Sequence, residues 1–299
     1  MSWFYLALLA PFLYAIVVLI DDNLLRSIYK GPYLAAASSG IFGAMPLISL
    51  LFVDWTPITT QQTILMLLAG FLTAVYYFFY FKSLDVESPS IVIAMLGLVP
   101  ATLPILAYLF LSEKLTVAQI VGFTIVLIAS LLLAMSEVKK FKFSAALLPV
   151  VVVVTILDIT SLLTKYVYDR TSFYSAFMCY SMGLGVGGIY FALIMFFDNK
   201  KHDLSVFKKS IHKLFVIFIL VELIAVAAEF TSNLAISRGA VSLVRVVEGI
   251  QPMYMLLIAL LLYPLSPKHF REAAEGQLVK KFTLMAIITA GLYIIGTST

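Results

Sequence analysis

The fold is decided by the stretch Lys82-Ser-Leu-Asp-Val-Glu-Ser-Pro-Ser-Ile-Val-Ile-Ala-Met-Leu-Gly-Leu-Val-Pro100, which has a counterpart 152 residues later at 234–252. Both copies lie where a third apolar segment of one half of the chain is followed by a fourth. A chain that repeats its hydropathy pattern in this way is typical of membrane transporters. A gapless alignment of the two copies places Ser90 on Ser242, Gly97 on Gly249 and Pro100 on Pro252.

The composition indicates that most of the chain is surrounded by lipid. Hydrophobic residues make up 62% of the sequence and charged residues 12%, against roughly 45–50% and about 25% in soluble domains. The mean hydropathy is +1.05. A soluble core cannot bury this much apolar surface, so we expect an integral membrane protein.

Ten apolar segments have the length of a membrane-spanning helix. Five such segments in each half form an odd number, so a second copy must enter the membrane in the opposite sense to the first. We therefore predict an all-α membrane protein of ten transmembrane helices, built as two inverted five-helix repeats at residues 1–143 and 144–299. The predicted segments are approximately 2–24, 33–53, 61–81, 88–111, 117–136, 145–167, 172–197, 213–236, 240–263 and 280–298.

The basic residues predict the orientation in the membrane. With flanking residues included, the loops after odd-numbered segments hold fifteen of the 20 Lys and Arg residues, the other loops hold four, and Arg245 lies inside a segment. Basic residues concentrate on the cytoplasmic side, so we expect both termini outside a plasma (inner) membrane. The net charge is +4, but these residues are dispersed over short loops, and nucleic acid is not an expected partner.

Three short motifs are similar to a known repeat. They are Tyr80-Phe-Lys-Ser-Leu-Asp-Val-Glu-Ser-Pro-Ser90, Gly97-Leu-Val-Pro100 and Leu109-Phe-Leu-Ser-Glu-Lys-Leu-Thr116. Together they resemble the EamA-type repeat of the drug/metabolite transporter superfamily, with Ser112 in place of the usual glycine and Glu113 at the position of the family's glutamate. The second half resembles the repeat through 234–242 and 249–252, and then departs from it at Tyr263-Pro-Leu-Ser-Pro267.

The resemblance implies a ten-helix secondary transporter, and an exporter more than an importer, without implying a substrate. We expect a small-molecule substrate, membrane lipid, and protons or another coupling ion as partners, and a monomer or a homodimer. A flippase for a lipid-linked head group is the alternative. An enzyme is not expected, because the sequence shows neither a nucleophile–base pair nor a set of metal ligands, and no cofactor is implied. No metal site is expected at His202, His212 or His269, which lie in predicted loops.

Ionisable residues inside the apolar segments are the candidates for chemistry, because such groups are costly in hydrocarbon. A helical rise of ~1.5 Å per residue places three carboxylates on the order of 10–12 Å below the same membrane boundary, those of Asp158, Glu229 and Glu248. Arg245 lies near Glu248 in the sequence. A shared layer of three carboxylates and one guanidinium indicates a binding site. The predicted substrate-binding residues are Arg245, Glu248, Asp158, Asn233, Tyr76 and Tyr80.

Helical spacing assigns roles to some of these residues. Glu222, Glu229 and Asn233 project from one face of a helix, and the two glutamates are the predicted proton-coupling residues, with Glu229 the leading candidate because burial disfavours its charged form. Passive structural roles are the alternative. Arg245 and Glu248 are three residues apart and can pair, either as a structural ion pair or with Arg245 also reading a substrate carboxylate.

Further expectations concern hinges and charges. Asp21 and Asp22 are expected at the cytoplasmic interface, Glu113 is expected to help close its turn, and one or two members of the aromatic run Tyr76–Phe81 can face a site. Prolines inside membrane helices free a carbonyl group and permit a bend, and glycines allow close packing. The predicted hinge residues are Pro100, Pro104, Pro252, Gly97 and Gly249.

Overall fold

The structure is a computed structural model that describes residues 2–29, 31–86, 92, 96–136, 147–197, 201–264 and 278–298. Within these residues the regular secondary structure is helical. Two short irregular helices, a π-helical turn at Leu25–Tyr29 and a 3₁₀ helix at Met45–Leu51, follow the first and second α-helices. The α-helices are α1 Trp3–Leu24, α2 Pro32–Phe42, α3 Thr60–Val86, α4 Val99–Leu111, α5 Val117–Ser136, α6 Leu147–Tyr168, α7 Phe173–Phe197, α8 Lys201–Arg238, α9 Val241–Glu248, α10 Gln251–Leu262 and α11 Leu278–Thr297.

The helices confirm the expected all-α membrane fold. In the described part of the chain, nine helical stretches are long and apolar enough to cross a bilayer, and the shorter apolar helix α4 lies in the remaining predicted segment. Each of the ten predicted segments therefore coincides with helical structure. The division into two inverted halves at residues 1–143 and 144–299 stays a prediction.

Helix α8 differs most from the expected boundaries. Residues 198–212 were expected to form a connection, but α8 begins at Lys201 and continues for 38 residues to Arg238. At ~1.5 Å per residue it is about 57 Å long, roughly twice the thickness of a hydrocarbon core. Hydropathy cannot identify its polar first turns, because a helix that leaves the bilayer needs no apolar side chains there.

Two predicted segments are interrupted at equivalent positions. Helix α4 follows a turn at Gly97–Leu98, and α9 is separated from α10 at Gly249–Ile250. Each helix that follows has a proline in its first turn, Pro100 in α4 and Pro252 in α10, where the missing N–H needs no partner. Both breaks therefore lie at predicted hinge residues, whereas Pro104 lies within α4.

The helices approach one another closely at glycines. A Cβ atom built on Gly40 of α2 would lie 2.7 Å from the Cα atom of Gly188 in α7. A Cβ atom on Gly70 of α3 would lie 2.0 Å from the carbonyl oxygen of Tyr180 in α7. Helix α7 is thus held against α2 and α3 through backbone contact.

Both termini and four connections lie on one face of the bundle, which we call the termini face. Gln119 at the start of α5 donates a hydrogen bond to the carbonyl oxygen of Ser298 at 3.3 Å. Trp3 packs against Gly239, between α8 and α9, and the hydroxyl oxygens of Thr56 and Ser175 are 2.8 Å apart. The connections on this face are 52–59, 112–116, 169–172 and 239–240.

The turn after α4 is bonded to the start of α9 through Glu113. Its carboxylate accepts hydrogen bonds from the backbone N–H groups of Val241 at 2.8 Å and Ser242 at 3.1 Å. These groups belong to the first turn of α9, whose N–H groups have no partner within the helix. The Glu113 side chain therefore caps a distant helix, in addition to the expected closure of its own turn by the bond from its N–H to the Ala107 carbonyl oxygen.

Ser112 has a left-handed backbone conformation, with φ 55° and ψ 30°. A residue with a Cβ atom is strained there by roughly 1–2 kcal/mol, and glycine is not. We expect Ser112→Gly to raise the free energy of unfolding by about 0.5–1 kcal/mol, because relief of strain exceeds the entropy that glycine loses on folding. Thermal unfolding in detergent measures the change. Ser112→Ala keeps the strain and is the control; equal unfolding temperatures for the two variants would contradict the expectation.

Candidate functional site

A central cavity of about 170 Å³ brings most of the predicted site residues together. It lies among helices from both the first and the second half of the chain. Asp158 and Pro104 are not part of its wall. The predicted residues that line it are Tyr76, Tyr80, Gly97, Pro100, Glu222, Glu229, Asn233, Arg245, Glu248, Gly249 and Pro252.

Glu229 lies at the centre of a ring of hydrogen-bond donors. Its Oε1 atom accepts bonds from the Tyr180 hydroxyl at 2.5 Å and the Asn233 amide at 2.8 Å. Its Oε2 atom accepts bonds from the hydroxyls of Tyr14 at 2.8 Å and Tyr77 at 3.4 Å. The four donors come from α1, α3, α7 and α8. Four donors can stabilise the charge of this partly buried carboxylate.

A second layer of polar groups orients the donors of Glu229. Tyr168 donates a hydrogen bond of 2.9 Å to the side-chain oxygen of Asn233, which fixes the Asn233 amide with its nitrogen toward Glu229. The Tyr180 and Thr73 hydroxyl oxygens are 2.9 Å apart. The sequence analysis missed Tyr14 and Tyr180. The spacing of seven residues between Tyr14 and Asp21 on one apolar helix could have indicated that both face the same site.

Arg245 pairs with Glu248, as their spacing predicted. The Nη1 atom is 2.6 Å from the Glu248 Oε2 atom and 3.4 Å from the Ser232 hydroxyl, and the Nε atom donates to the Ser161 hydroxyl at 2.9 Å. Among the described residues, Nη2 has no hydrogen-bond partner, and Arg245 lines the cavity. One side of the guanidinium is therefore free to bind a ligand.

Asp158 lies behind the cavity wall. Its Oδ2 atom accepts a hydrogen bond of 2.7 Å from the Thr102 hydroxyl, while its buried Oδ1 atom has no partner among the described residues. Leu157 and Thr160, its neighbours on α6, line the cavity instead. The structure thus keeps Asp158 near the predicted layer without placing it in contact with the cavity.

Asp21 and Glu222 form the other polar region of the cavity. Asp21 is 4% exposed and lines the cavity, so its expected position at the membrane interface is wrong. Its Oδ2 atom accepts a hydrogen bond from Tyr80 at 3.2 Å. Glu222 is 2% exposed. The reason for the error is tertiary, because α1 packs along α8 and thereby buries its last turn. The side chain of Asp22 lies outside the described part of the chain.

The aromatic wall is wider than expected. Tyr76, Tyr77, Tyr80 and Phe81 all line the cavity, so the expectation that one or two members of this run face the site is wrong. At about 100° per residue these four side chains fall within one broad face of α3, and that face borders the cavity. Tyr77 reaches Glu229 and Tyr80 reaches Asp21, so this wall connects the two polar regions.

The cavity reaches to different depths along different helices. On α1 its wall begins at Tyr14 and on α3 at Thr73, each about ten residues or more from the helix end at the termini face. On α6 and α7 the wall includes Thr164 and Phe177, which lie about one helical turn from the helix ends at that face. On the opposite side, the lining extends to Ala134, two residues from the end of α5.

The described residues hold no group of three or more His, Cys, Asp and Glu side chains that could bind a metal ion. The side chains of His202, His212 and His269 lie outside the described part of the chain.

The model of a known family matches the first five helices of the chain. Residues 1–135 match the model of the EamA-like transporter family. The predicted EamA-type recognition is confirmed. The EamA-like match contains α1 to α5, and with them Asp21, the tyrosines of α3 and the break before Pro100. Together with the apolar helices, the match indicates a multi-pass membrane protein whose residues 1–135 are similar to EamA-like transporters.

The similarity to a solved structure covers more of the chain than the EamA-like match does. A structure described only as "Crystal structure of protein" is 17% identical, with a TM-score of 0.65, and the match covers 96% of this chain and 95% of that chain. This similarity concerns the fold alone. No curated protein gives a significant match to the chain.

Proposed function

We propose that this transporter is a proton-coupled exporter of a small polar metabolite with an amino group, such as an amino acid or an amine. The observation that carries the proposal is the presence in one cavity of Glu229, held by hydroxyl and amide donors, and Arg245, with one side of its guanidinium open. Arg245 would hold a substrate carboxylate in two hydrogen bonds, and the carboxylates would receive an ammonium group or a proton.

Proton exchange at Glu229 is supported by its surroundings. Three of its four hydrogen-bond partners are tyrosine hydroxyls, which can either donate or accept. If Glu229 gains a proton, one tyrosine hydroxyl can rotate and accept a hydrogen bond from it. The same four partners can therefore form hydrogen bonds with either protonation state of Glu229.

Alternating access would use the two helix breaks. The interruptions at Gly97 and Gly249 lie 152 residues apart on opposite halves of the chain, and both border the cavity. We propose that residues 1–143 and 144–299 are inverted repeats that move against each other at these breaks. In one of the two access states, the bond between Glu113 and the first turn of α9 would hold the termini face together.

The test is transport by purified protein in liposomes under an imposed pH gradient. We expect counterflow of protons with an amino acid or amine from a panel of amino acids, amines, nucleotides and lipid head groups. A pH-sensitive dye in the lumen measures the proton flux, and empty liposomes give the background. Transport that proceeds equally with and without the gradient would contradict proton coupling, and movement of lipid head groups alone would contradict the substrate class.

Both termini are proposed to lie outside the plasma (inner) membrane. The charge bias of the loops supports this orientation, and it requires the two termini to share one face, as they do in the structure. We expect a tag placed after Thr299 to react with membrane-impermeant reagents on intact cells, while a cysteine introduced in 201–212 stays protected. The reverse pattern would invert the orientation.

A further inference from the structure

The polar region formed by Asp21 and Glu222 has unused hydrogen-bonding capacity. Glu222 accepts bonds at Oε1 from Tyr29 at 2.7 Å, Ser38 at 2.7 Å and Ser39 at 3.4 Å, and no described residue donates to its Oε2 atom. Asp21 accepts a bond at Oδ2 from Tyr80, and no described residue donates to its Oδ1 atom. Both side chains are more than nine-tenths buried and both line the cavity. Each of these two cavity-lining side chains therefore keeps one carboxylate oxygen without a donor among the described residues.

The charges of the cavity wall are unbalanced. Among the described lining residues, four are acidic, and Arg245 is the basic one. Among the described residues, Arg245 pairs with Glu248 and not with Asp21 or Glu222. Buried charges without a partner are strongly unfavourable, so this region is suited to a cationic group of a ligand.

The region of Asp21 and Glu222 and the region around Glu229 are separated by the same number of residues on α1 and on α8. Glu222 and Glu229 are seven residues apart on α8, and Asp21 and Tyr14, which contacts Glu229, are seven residues apart on α1. Seven residues correspond to about 10 Å along a helix. An ammonium group next to the carboxylate of an α-amino acid cannot reach from one region to the other. A second cationic group at the end of a flexible chain can reach from one region to the other. The rings of Tyr76 and Tyr80, whose centroids are 5.9 Å apart, line the cavity between the two regions.

We propose that the substrate is a basic amino acid, whose side-chain cation binds between Asp21 and Glu222. Its carboxylate binds the open side of Arg245. Its α-ammonium group lies between Glu229 and Glu248, which both line the cavity. The lysine side chain, with its four-carbon stem, has the length and the terminal donors for this arrangement. This inference rests on the proposed function and specifies its substrate class.

The test compares ligands that differ in one charged group. Lysine and norleucine share a carbon skeleton, but norleucine lacks the terminal amino group; cadaverine has both amino groups and lacks the carboxylate. We expect purified protein to bind lysine about ten- to a hundredfold more tightly than norleucine by isothermal titration calorimetry, the range of a charge-assisted hydrogen bond. Asp21→Asn should remove this preference for lysine over norleucine. Cadaverine binding should depend on Asp21 and not on Arg245.

Several outcomes would overturn the inference. Equal affinities for lysine and norleucine would overturn it while leaving proton-coupled transport of another amino acid or amine intact. A lysine preference that persists in both Asp21→Asn and Glu222→Gln would remove the site assignment, and the second variant serves if the first does not fold. Stabilisation by Na⁺ alone that is lost in Asp21→Asn would make the region an inorganic cation site. Asp54→Asn, an exposed substitution on the termini face, is the control.

Discussion

Glu229→Gln is expected to reduce proton-driven transport to the level of empty liposomes while the protein remains folded. Glutamine has the same shape and can still accept hydrogen bonds from Tyr180 and Asn233 at its oxygen. Its amide nitrogen can donate to Tyr14 and Tyr77, whose hydroxyls also accept. It cannot take up or release a proton near neutral pH. The change therefore removes proton exchange and leaves the packing in place.

Three measurements separate this result from simple misfolding. Proton flux and substrate flux are recorded in the same liposomes, and size-exclusion chromatography in detergent reports the folded fraction. Asp54→Asn removes an exposed carboxylate by the same chemical change and should transport normally. Full proton coupling in Glu229→Gln would move the coupling role to another carboxylate, and Glu222→Gln would then be the variant to test.

Arg245→Lys is expected to weaken substrate binding by roughly 1–3 kcal/mol, the range for hydrogen bonds to charged groups. Lysine keeps the positive charge beside Glu248, so the ion pair inside the cavity wall survives. It lacks the planar fork, so it cannot hold Glu248 and Ser161 and also present two donors to a substrate carboxylate. Titration calorimetry with the transported substrate measures the loss, which corresponds to roughly a five- to 150-fold change in Kd.

The thermal unfolding of the same variant tests the alternative role of Arg245. A purely structural ion pair predicts that binding loss follows the loss of folded protein. We expect an unfolding temperature close to that of the unchanged protein, because the charge remains paired. Arg245→Met is the contrasting variant: it leaves Glu248 buried without its partner and should lower stability markedly. Normal transport by Arg245→Lys would exclude Arg245 from substrate recognition.

Much of the candidate site could be predicted from spacing within single helices. Glu222, Glu229 and Asn233 share one face of α8 and all line the cavity, and Arg245 pairs with Glu248 over one turn. These predictions succeed because helical periodicity determines which side chains share a face. The positions of the helix breaks could also be predicted, because Gly97 and Gly249 interrupt their segments just before Pro100 and Pro252; their role as hinges stays a prediction. Each of these relations is local in the chain.

Relations between distant helices could not be predicted in this way. Asp21 was expected at the interface and is buried, because α1 packs along α8. Tyr14 and Tyr180 contact Glu229 from positions 215 and 49 residues away. Glu113 caps α9 from 128 residues away. Nothing in the local sequence around these side chains identifies their partners.

The sequence by itself determined the solvent, the number of membrane segments and the polar faces of single helices. Hydropathy reports transfer into lipid, and helical spacing reports neighbours within a few turns; both properties are local and additive along the chain. Only the tertiary structure decided that Asp21 faces the cavity and that three tyrosines surround Glu229. The physical reason is that a buried polar group is satisfied by whichever helix is packed against it, and that choice depends on backbone contacts such as Gly70 against Tyr180.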